Sequence, residues 1–221
     1  MHNVVDKLIS IKKETKAIIT SSNTLGKNLT IIAVSKTFSI SDILPLINYG
    51  HCHFGENKIQ EAKEKWTDIK NDFPNIKLHM IGKLQTNKVK FAVPLFDYIH
   101  SLDNLKLAEK ISTEQNKINK KLKIFIQINI GNEDQKSGIN EDDVQNFYKK
   151  CVEDLNLDIV GLMCLPPKEE KTKSYFSRMQ NLAKKIGVNE LSMGMSSDYL
   201  EASKSGSTFL RVGSKIFGVR V

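Results

Sequence analysis

Short apolar runs alternate along the chain with longer amphipathic segments. The run at 29–36, Leu-Thr-Ile-Ile-Ala-Val-Ser-Lys, is dense in Ile and Val, which is typical of a strand buried on both faces. Similar runs recur along the rest of the chain. The predicted strands are 29–36, 51–54, 77–81, 97–100, 123–129, 158–163, 190–193 and 208–212.

Helix signals fill the intervals between these strands. Asn104 can cap a helix, and the acidic residues at 141–143, which follow Asn140, favour a helix start because the helix dipole stabilises negative charge there. The clearest helical segments are predicted over 3–22, 39–50, 104–119 and 140–156.

The alternation of strands and helices with short connections predicts parallel strands joined by right-handed crossovers. Eight such repeats in 221 residues predict an α/β fold, a (β/α)₈ TIM-type barrel with an extra N-terminal helix. No linker or change of composition divides the chain, so we expect one domain over 1–221. An open doubly wound sheet is the alternative interpretation of the same pattern.

The composition narrows the class of protein. No apolar run approaches the roughly 18 residues of a membrane span, and the first residues lack the layout of a secretory signal, so we expect a cytoplasmic protein. The three cysteines at 52, 151 and 164 are scattered and include no C-x-x-C pair. That pattern argues against a disulfide framework or a zinc site.

The net charge of +8 raises the question of a nucleic-acid partner. The positive charge is nearly all lysine and is spread among glutamates, whereas a bound surface should cluster its charge. We therefore do not assign nucleic-acid binding as a main role. Arginine is rare in this chain, occurring at 178, 211 and 220, which makes Arg211 a candidate for a role that lysine cannot fill.

Polar or glycine residues follow nearly every predicted strand. In a barrel these positions share the C-terminal rim, where active sites are built. Lys36 ends a buried strand, and partial desolvation at the barrel mouth would favour its neutral, nucleophilic amine. The position alone fits a solvated rim lysine equally well. The clusters lie at 35–36, 55–57, 82–88, 101–103, 129–138, 194–198 and 213–214.

Two histidines raise the possibility of a metal site. Alternation would put His51 and His53 on one face of a strand. The sequence brings no third ligand near them, so we predict no metal.

The order of motifs resembles the pyridoxal-phosphate homeostasis family, whose barrel is similar to the N-terminal domain of bacterial alanine racemases. The resemblance covers nearly the whole chain. Lys83 and Ser214 depart from the residues expected in many members, although Ser214 keeps a hydroxyl. The matching segments are Ala-Val-Ser-Lys at 33–36, Phe-Gly-Glu-Asn at 54–57, His-Met-Ile-Gly-Lys-Leu-Gln-Thr-Asn-Lys at 79–88, His-Ser-Leu-Asp at 100–103, 127–138, 161–163, 191–198, 206–213 and 217–218.

The resemblance implies that Lys36 holds pyridoxal 5′-phosphate (PLP) as a Schiff base. It also implies that Ser196 and the backbone amides of Gly213 and Ser214 hold the phosphate. Glycine lets backbone N–H groups approach an anion, although Gly213 would serve simple turn geometry as well.

Three further residues are implied in the pocket. Arg211 resembles the arginine that faces the pyridine nitrogen of the cofactor. Asn57 and His79 resemble pocket-lining groups, although a histidine satisfied within the core is nearly as good an interpretation of His79.

The family resemblance implies a protein that binds, buffers and delivers PLP, with transient contacts to PLP-requiring apoenzymes. A guanidinium does not release its proton, so Arg211 would leave the ring a poor electron sink. The second acid/base of the racemases comes from an additional β-domain, and this sequence ends at Val221. We therefore expect no catalytic residue, no racemase turnover and a monomer.

Two other functions stay open. One is a PLP-dependent amino-acid racemase or lyase, which loss of optical rotation of an amino acid would reveal. The other is a nucleic-acid or partner-binding barrel with a vestigial PLP site, which a steep salt dependence of binding would reveal.

Overall fold

Eight parallel strands form a closed barrel in chain order, in which β1 pairs with both β2 and β8. The structure is a computed structural model that describes residues 3–21, 28–133, 137–167 and 172–218. The predicted (β/α)₈ fold is confirmed, and the open doubly wound sheet is wrong. The strands are β1 (Thr30–Val34), β2 (His53–Glu56), β3 (Lys77–Met80), β4 (Tyr98–Leu102), β5 (Lys123–Ile128), β6 (Asp158–Cys164), β7 (Glu190–Met195) and β8 (Phe209–Val212).

The helices surround the barrel, and two predicted starts are visible in their caps. Asn104 Oδ1 accepts a hydrogen bond from Leu107 N at 2.9 Å, and Ser39 with Asp42 forms a capping box. The helices are α1 (Asn3–Ser21), α2 (Ile40–Asn48), α3 (Ile59–Asp72), α4 (Val89–Leu95), α5 (Leu105–Lys117), α6 (Val144–Lys149), α7 (Thr172–Ile186), α8 (Tyr199–Lys204) and α9 (Ser214–Phe217). Within the described ranges, no helix is both long and apolar enough to cross a bilayer.

Some boundaries differ from the prediction for local reasons. The second strand begins at His53, because His51 N donates to Leu46 O at 2.9 Å and so closes α2. His51 therefore precedes the strand and does not share a strand face with His53. The single helix predicted over 140–156 is a 3₁₀ turn, α6 and a π turn in succession. The π turn ends at Asp154, and Asn156 beyond it has a left-handed φ of 51°. Positions 134–136 of the predicted rim cluster lie outside the described residues.

Successive residues of each strand face two different cores. We call the space between strands and helices the shell and the space inside the barrel the lumen. Ile31 and Ala33 of β1 belong to the shell, whereas Ile32 between them faces the lumen. The apolar part of the lumen is built from Ile32, Phe125, Met163 and Phe209, with Tyr98 and Val160 packed against them. This period of two decides which side chains can reach a site inside the barrel.

Candidate functional site

Lys36 lies half-buried in a tight turn just beyond β1. Strand pairing continues to Ser35, whose N–H donates to Gly55 O at 3.0 Å, and Phe38 N then donates to Ser35 O at 3.1 Å. Thr37 adopts a left-handed backbone, with φ 69°. Lys36 thus follows the strand by two residues and sits at a corner of this turn on the C-terminal rim.

Buried polar groups brace this turn from behind. Glu56 Oε1 accepts hydrogen bonds from Ser35 Oγ at 2.7 Å, Lys65 Nζ at 3.0 Å and Trp66 Nε1 at 3.0 Å. Lys65 Nζ also donates to Ser35 O at 2.9 Å, and Thr37 N donates to Glu61 Oε1. Burial raises the pKa of Glu56, although Lys65 opposes the shift. Sequence reasoning assigned no role to this group of side chains.

Arg211 is buried in the lumen at the C-terminal end of β8, with only 4% of its surface exposed. Its Nη1 donates to Ser192 Oγ at 2.7 Å and its Nη2 donates to Cys164 O at 2.8 Å. Burial lowers the pKa of Arg211, but a guanidinium stays charged at neutral pH. No carboxylate in the described part of the chain forms an ion pair with it. The barrel therefore holds a buried cation with which no anionic side chain of the described residues pairs.

Ser196 lies on the turn that follows β7, next to the end of β8. Its Oγ accepts hydrogen bonds from the backbone N–H groups of Gly213 at 3.2 Å and Lys215 at 3.3 Å. Asp198 fixes this turn, because its Oδ1 accepts from Met195 N at 2.6 Å. Backbone donors from the start of α9 thus already converge on one oxygen, and the contribution of Lys215 was not predicted.

The predicted phosphate segment and the Lys36 turn are neighbours. A Cβ placed on Gly213 would lie 3.3 Å from the side chain of Val34, the last residue of β1. Phe38, two residues after Lys36, stacks on Phe217 of α9 with ring centroids 4.8 Å apart. The structure therefore brings Lys36, Ser196, Arg211, Gly213 and Ser214 to adjoining strand ends of one sector, β7, β8 and β1.

Asn57 and His79 occupy different positions around this sector. Asn57 follows β2 on the rim, and its buried Oδ1 has no hydrogen-bond partner among the described residues. His79 is fully buried inside the barrel. Both of its ring nitrogens lie within hydrogen-bond distance of other histidines, so it presents neither nitrogen to the rim.

A chain of polar side chains connects His79 with Arg211. His53 Nδ1 lies 3.0 Å from His79 Nε2, and His79 Nδ1 lies 3.0 Å from His100 Nε2. His100 Nδ1 lies 2.8 Å from Ser192 Oγ, the atom that accepts from Arg211. Sequence reasoning missed the connecting roles of His53, His100 and Ser192. The alternation of side chains along each strand was the available signal, because it places these three residues on lumen-facing positions. Which of them contact one another depends on how the barrel closes.

Metal-ligand clusters and two of the three cysteines can be assessed from the described residues. No group of three or more His, Cys, Asp or Glu side chains there could hold a metal ion. Burial raises the pKa of both Cys151 and Cys164 to about 12, which makes each a poor nucleophile.

A fold and site of this kind define a class of proteins, the barrels related to alanine racemase. The sequence profile of the family described as "Alanine racemase, N-terminal domain" matches residues 16–221. An alanine racemase of Clostridium difficile has the same fold, with a TM-score of 0.72 at 14% identity over 99% of this chain and 57% of that one.

Closer relatives narrow this class to one family. A protein of Haemophilus influenzae named pyridoxal phosphate homeostasis protein is 33% identical over 229 aligned positions, covering 99% of this chain and 96% of the relative. The structure of PipY from Synechococcus elongatus without PLP has a TM-score of 0.87 at 30% identity, covering 97% of this chain and all of PipY. The structure of PipY with PLP bound has a TM-score of 0.81 at 31% identity, covering 93% of this chain and all of PipY. The chain belongs to the pyridoxal phosphate homeostasis protein family.

Proposed function

We propose that this protein binds PLP as a Schiff base on Lys36 and takes part in PLP homeostasis in the cytoplasm, where it buffers the cofactor or delivers it to apoenzymes. The observation that carries the proposal is the buried guanidinium of Arg211, with which no carboxylate of the described residues pairs, at the same barrel end as the Lys36 turn. A buried cation without an anionic partner is costly unless a ligand complements it. The names of the relatives and the PLP-bound PipY support the same choice of ligand.

The described residues fit such a ligand. Two hydrogen bonds occupy two of the five N–H groups of Arg211, and the described residues accept from none of the others, so donors are left for an acceptor such as a pyridine nitrogen. The N–H groups around Ser196 and Gly213 suit a phosphate oxygen, since they already meet one oxygen. The unpartnered Oδ1 of Asn57 suits a donor on the ligand.

The site suits a cofactor carrier better than an amino-acid enzyme. PLP supplies an electrophilic aldehyde and an electron-withdrawing ring when it is bound. Arg211 donates hydrogen bonds but keeps its proton, so it would leave the ring nitrogen unprotonated and the ring a weaker electron sink. We therefore expect α-carbon proton exchange of amino acids in deuterated buffer to stay at the rate of free PLP. Fast exchange that Lys36→Ala abolishes would favour a racemase instead.

Covalent attachment tests the role of Lys36. Purified protein incubated with PLP and reduced with borohydride should carry one pyridoxyl group, and peptide mapping should find it on Lys36. Lys36→Ala should lose this adduct, whereas Lys83→Ala, a matched change of an exposed rim lysine, should keep it. An adduct mainly on Lys83 or Lys88 of the unmodified chain would contradict the assignment.

The phosphate site has its own test. If Ser196, Gly213 and Ser214 hold the phosphate, pyridoxal without its phosphate should bind at least about a hundredfold more weakly than PLP. Hydrogen bonds to charged groups contribute about 1.5–3 kcal/mol each, and several would be lost together. Titration of both vitamers, followed by absorbance, measures the ratio. Equal affinity would remove the phosphate role while leaving the assignment of Lys36 intact.

A further inference from the structure

A hydrogen-bonded chain crosses the lumen from the cofactor end of the barrel toward the opposite mouth. It joins side chains from five strands, β8, β7, β4, β3 and β2, and every contact is 3.0 Å or shorter. Its inner members are fully buried, whereas the terminal histidine is half-buried. The chain runs in the order Arg211, Ser192, His100, His79 and His53.

The donors and acceptors of this chain allow one well-satisfied direction. Arg211 can only donate, so Ser192 Oγ accepts from it. The hydroxyl hydrogen of Ser192 then needs an acceptor, and His100 Nδ1 is the one that the described residues supply. His100 must therefore carry its own proton on Nε2 and donate to His79 Nδ1. By the same logic His79 donates from Nε2 to His53 Nδ1.

The reverse direction is worse for a simple reason. If each imidazole carried its proton on Nδ1, Ser192 Oγ would accept from both His100 and Arg211. The hydroxyl hydrogen of Ser192 would then have no acceptor among the described residues. An unsatisfied polar group in a buried site is unfavourable, so the forward direction is the stable one.

We propose that His100, His79 and Ser192 are positioning residues for Arg211. Their hydrogen-bonded chain makes the position of the Arg211 guanidinium depend on the protonation of His53 at the N-terminal mouth of the barrel. The proposal rests on the proposed role of Arg211 against the cofactor, but the chain itself does not require a bound ligand. A signal reaching the cofactor site from the opposite end of the barrel would be a regulatory input.

Protonation of His53 disturbs every link in turn. In the forward direction its only lone pair, on Nδ1, accepts from His79. Uptake of one proton from solvent places an N–H there, facing the N–H of His79. His79 and His100 must then shift their protons from Nε2 to Nδ1 or lose their contacts. In either case the hydrogen bond between Ser192 Oγ and His100 changes, while Ser192 Oγ still accepts from Arg211.

The surroundings make His53 the member that titrates first. Burial lowers the pKa of all three histidines, and the pKa values of the fully buried His79 and His100 fall far below the ordinary value. His53 is lowered less because it is only half-buried. Among the described residues, the other titratable or charged groups near His53 and His79 are His51, Lys70, Lys77, Asp97 and Tyr98, and those near Arg211 are Cys164 and Asp198.

The direction of donation along the hydrogen-bonded chain can be measured in the PLP-free protein. Nuclear magnetic resonance of isotope-labelled histidine nitrogens distinguishes a protonated Nδ1 from a protonated Nε2. At about pH 8, we expect His53, His79 and His100 all to carry their proton on Nε2. A proton on Nδ1 of His79 or His100 would overturn the proposal. Because no cofactor is present, this outcome is independent of the proposed PLP function.

Transmission along the chain needs a second measurement on matched variants. Between about pH 8 and pH 5, the ring signals of His100 should shift with the midpoint of His53 in the wild type. The same shift should persist in His51→Gln, because the hydrogen bond of His51 goes to the backbone oxygen of His53 and not to its ring. It should vanish in His53→Gln, which keeps an acceptor but cannot titrate. The same His100 shift in His53→Gln, or no shift in the wild type while His53 protonates, would sink the proposal.

Discussion

The two faces of strand β8 show how one stretch of four residues serves two purposes. Leu210 and Val212 point outward into the shell, where they are fully buried among helices. Phe209 and Arg211 point inward into the lumen. The shell side is uniformly apolar, whereas the lumen side changes from an aromatic ring to a guanidinium within one strand period. The shell side of β8 therefore contributes apolar packing, and its lumen side carries the charged group to which we assign ligand binding in the proposed function.

The polar side chains of the lumen form hydrogen bonds with one another and with a backbone oxygen. Both ring nitrogens of His79 and of His100 have hydrogen-bond partners. The guanidinium of Arg211 donates to one hydroxyl oxygen and to one carbonyl oxygen. Satisfied members of such a network are favourable in a buried site, whereas the remaining N–H groups of Arg211 have no acceptor among the described residues. Aromatic stacking completes the enclosure, since Tyr98 lies 4.2 Å from the ring centroid of His79.

Acid should destabilise the protein mainly through its buried histidines. The folded-state pKa values of His51, His53, His79 and His100 lie below the ordinary 6.5, and that of His51 is about 3. Below pH 6.5 the unfolded chain therefore binds more protons than the folded one. Stability that is fully present above pH 6.5 is lost as the pH falls, by up to about 1.4 kcal/mol per pH unit for each histidine.

Urea unfolding at several pH values measures this slope. His51→Gln removes one titrating group outside the lumen, so its slope should be shallower by about one proton. Identical slopes in the wild type and in His51→Gln would show that the acid sensitivity arises elsewhere.

Truncating the shell should cost stability without affecting the ligand. Leu210 is fully buried and packs close to Gly194, where a Cβ would approach its Cδ2 to 2.9 Å. We expect Leu210→Ala to lower the free energy of unfolding by about 2–5 kcal/mol. The PLP affinity of the folded protein should change by less than about twofold, because Leu210 faces the shell, on the opposite side of β8 from Arg211. Chemical denaturation and PLP titration of the same samples check both halves of this expectation.

Replacing Arg211, which follows Leu210 in β8, should weaken PLP binding and leave the free energy of unfolding nearly unchanged. Arg211→Met should weaken PLP binding by roughly 10–100-fold, since a hydrogen bond to a charged group is lost. The stability of the PLP-free protein should change by about 1 kcal/mol or less, because two lost hydrogen bonds are offset by removal of an unpaired buried charge. Arg178→Met, on the outer helix α7, is the matched control and should alter neither quantity. A large loss of stability with unchanged PLP affinity would mean that Arg211 is structural.

Local sequence signals were enough for the architecture of this protein. Short apolar runs, of which 29–36 is dense in Ile and Val, marked the eight strands, and Asn104 marked a helix start that its cap confirms. These signals succeed because strand burial and helix capping depend on residues a few positions apart. The boundary at His51 was missed because its N–H serves the end of α2 rather than the sheet, a competition that apolar patterning does not reveal.

The residues around the candidate site divide in the same way. Lys36, Ser196, Arg211 and Gly213 could be named from their positions after strands and from the family resemblance. The hydrogen-bonded chain that ends on Arg211 could not be predicted, because His100 and Ser192 are 92 residues apart in sequence and come into contact only when the barrel closes. Each histidine by itself is compatible with core, surface or metal binding. Only the closed barrel, which brings lumen-facing positions of distant strands within 3 Å, decides that they form one connected path.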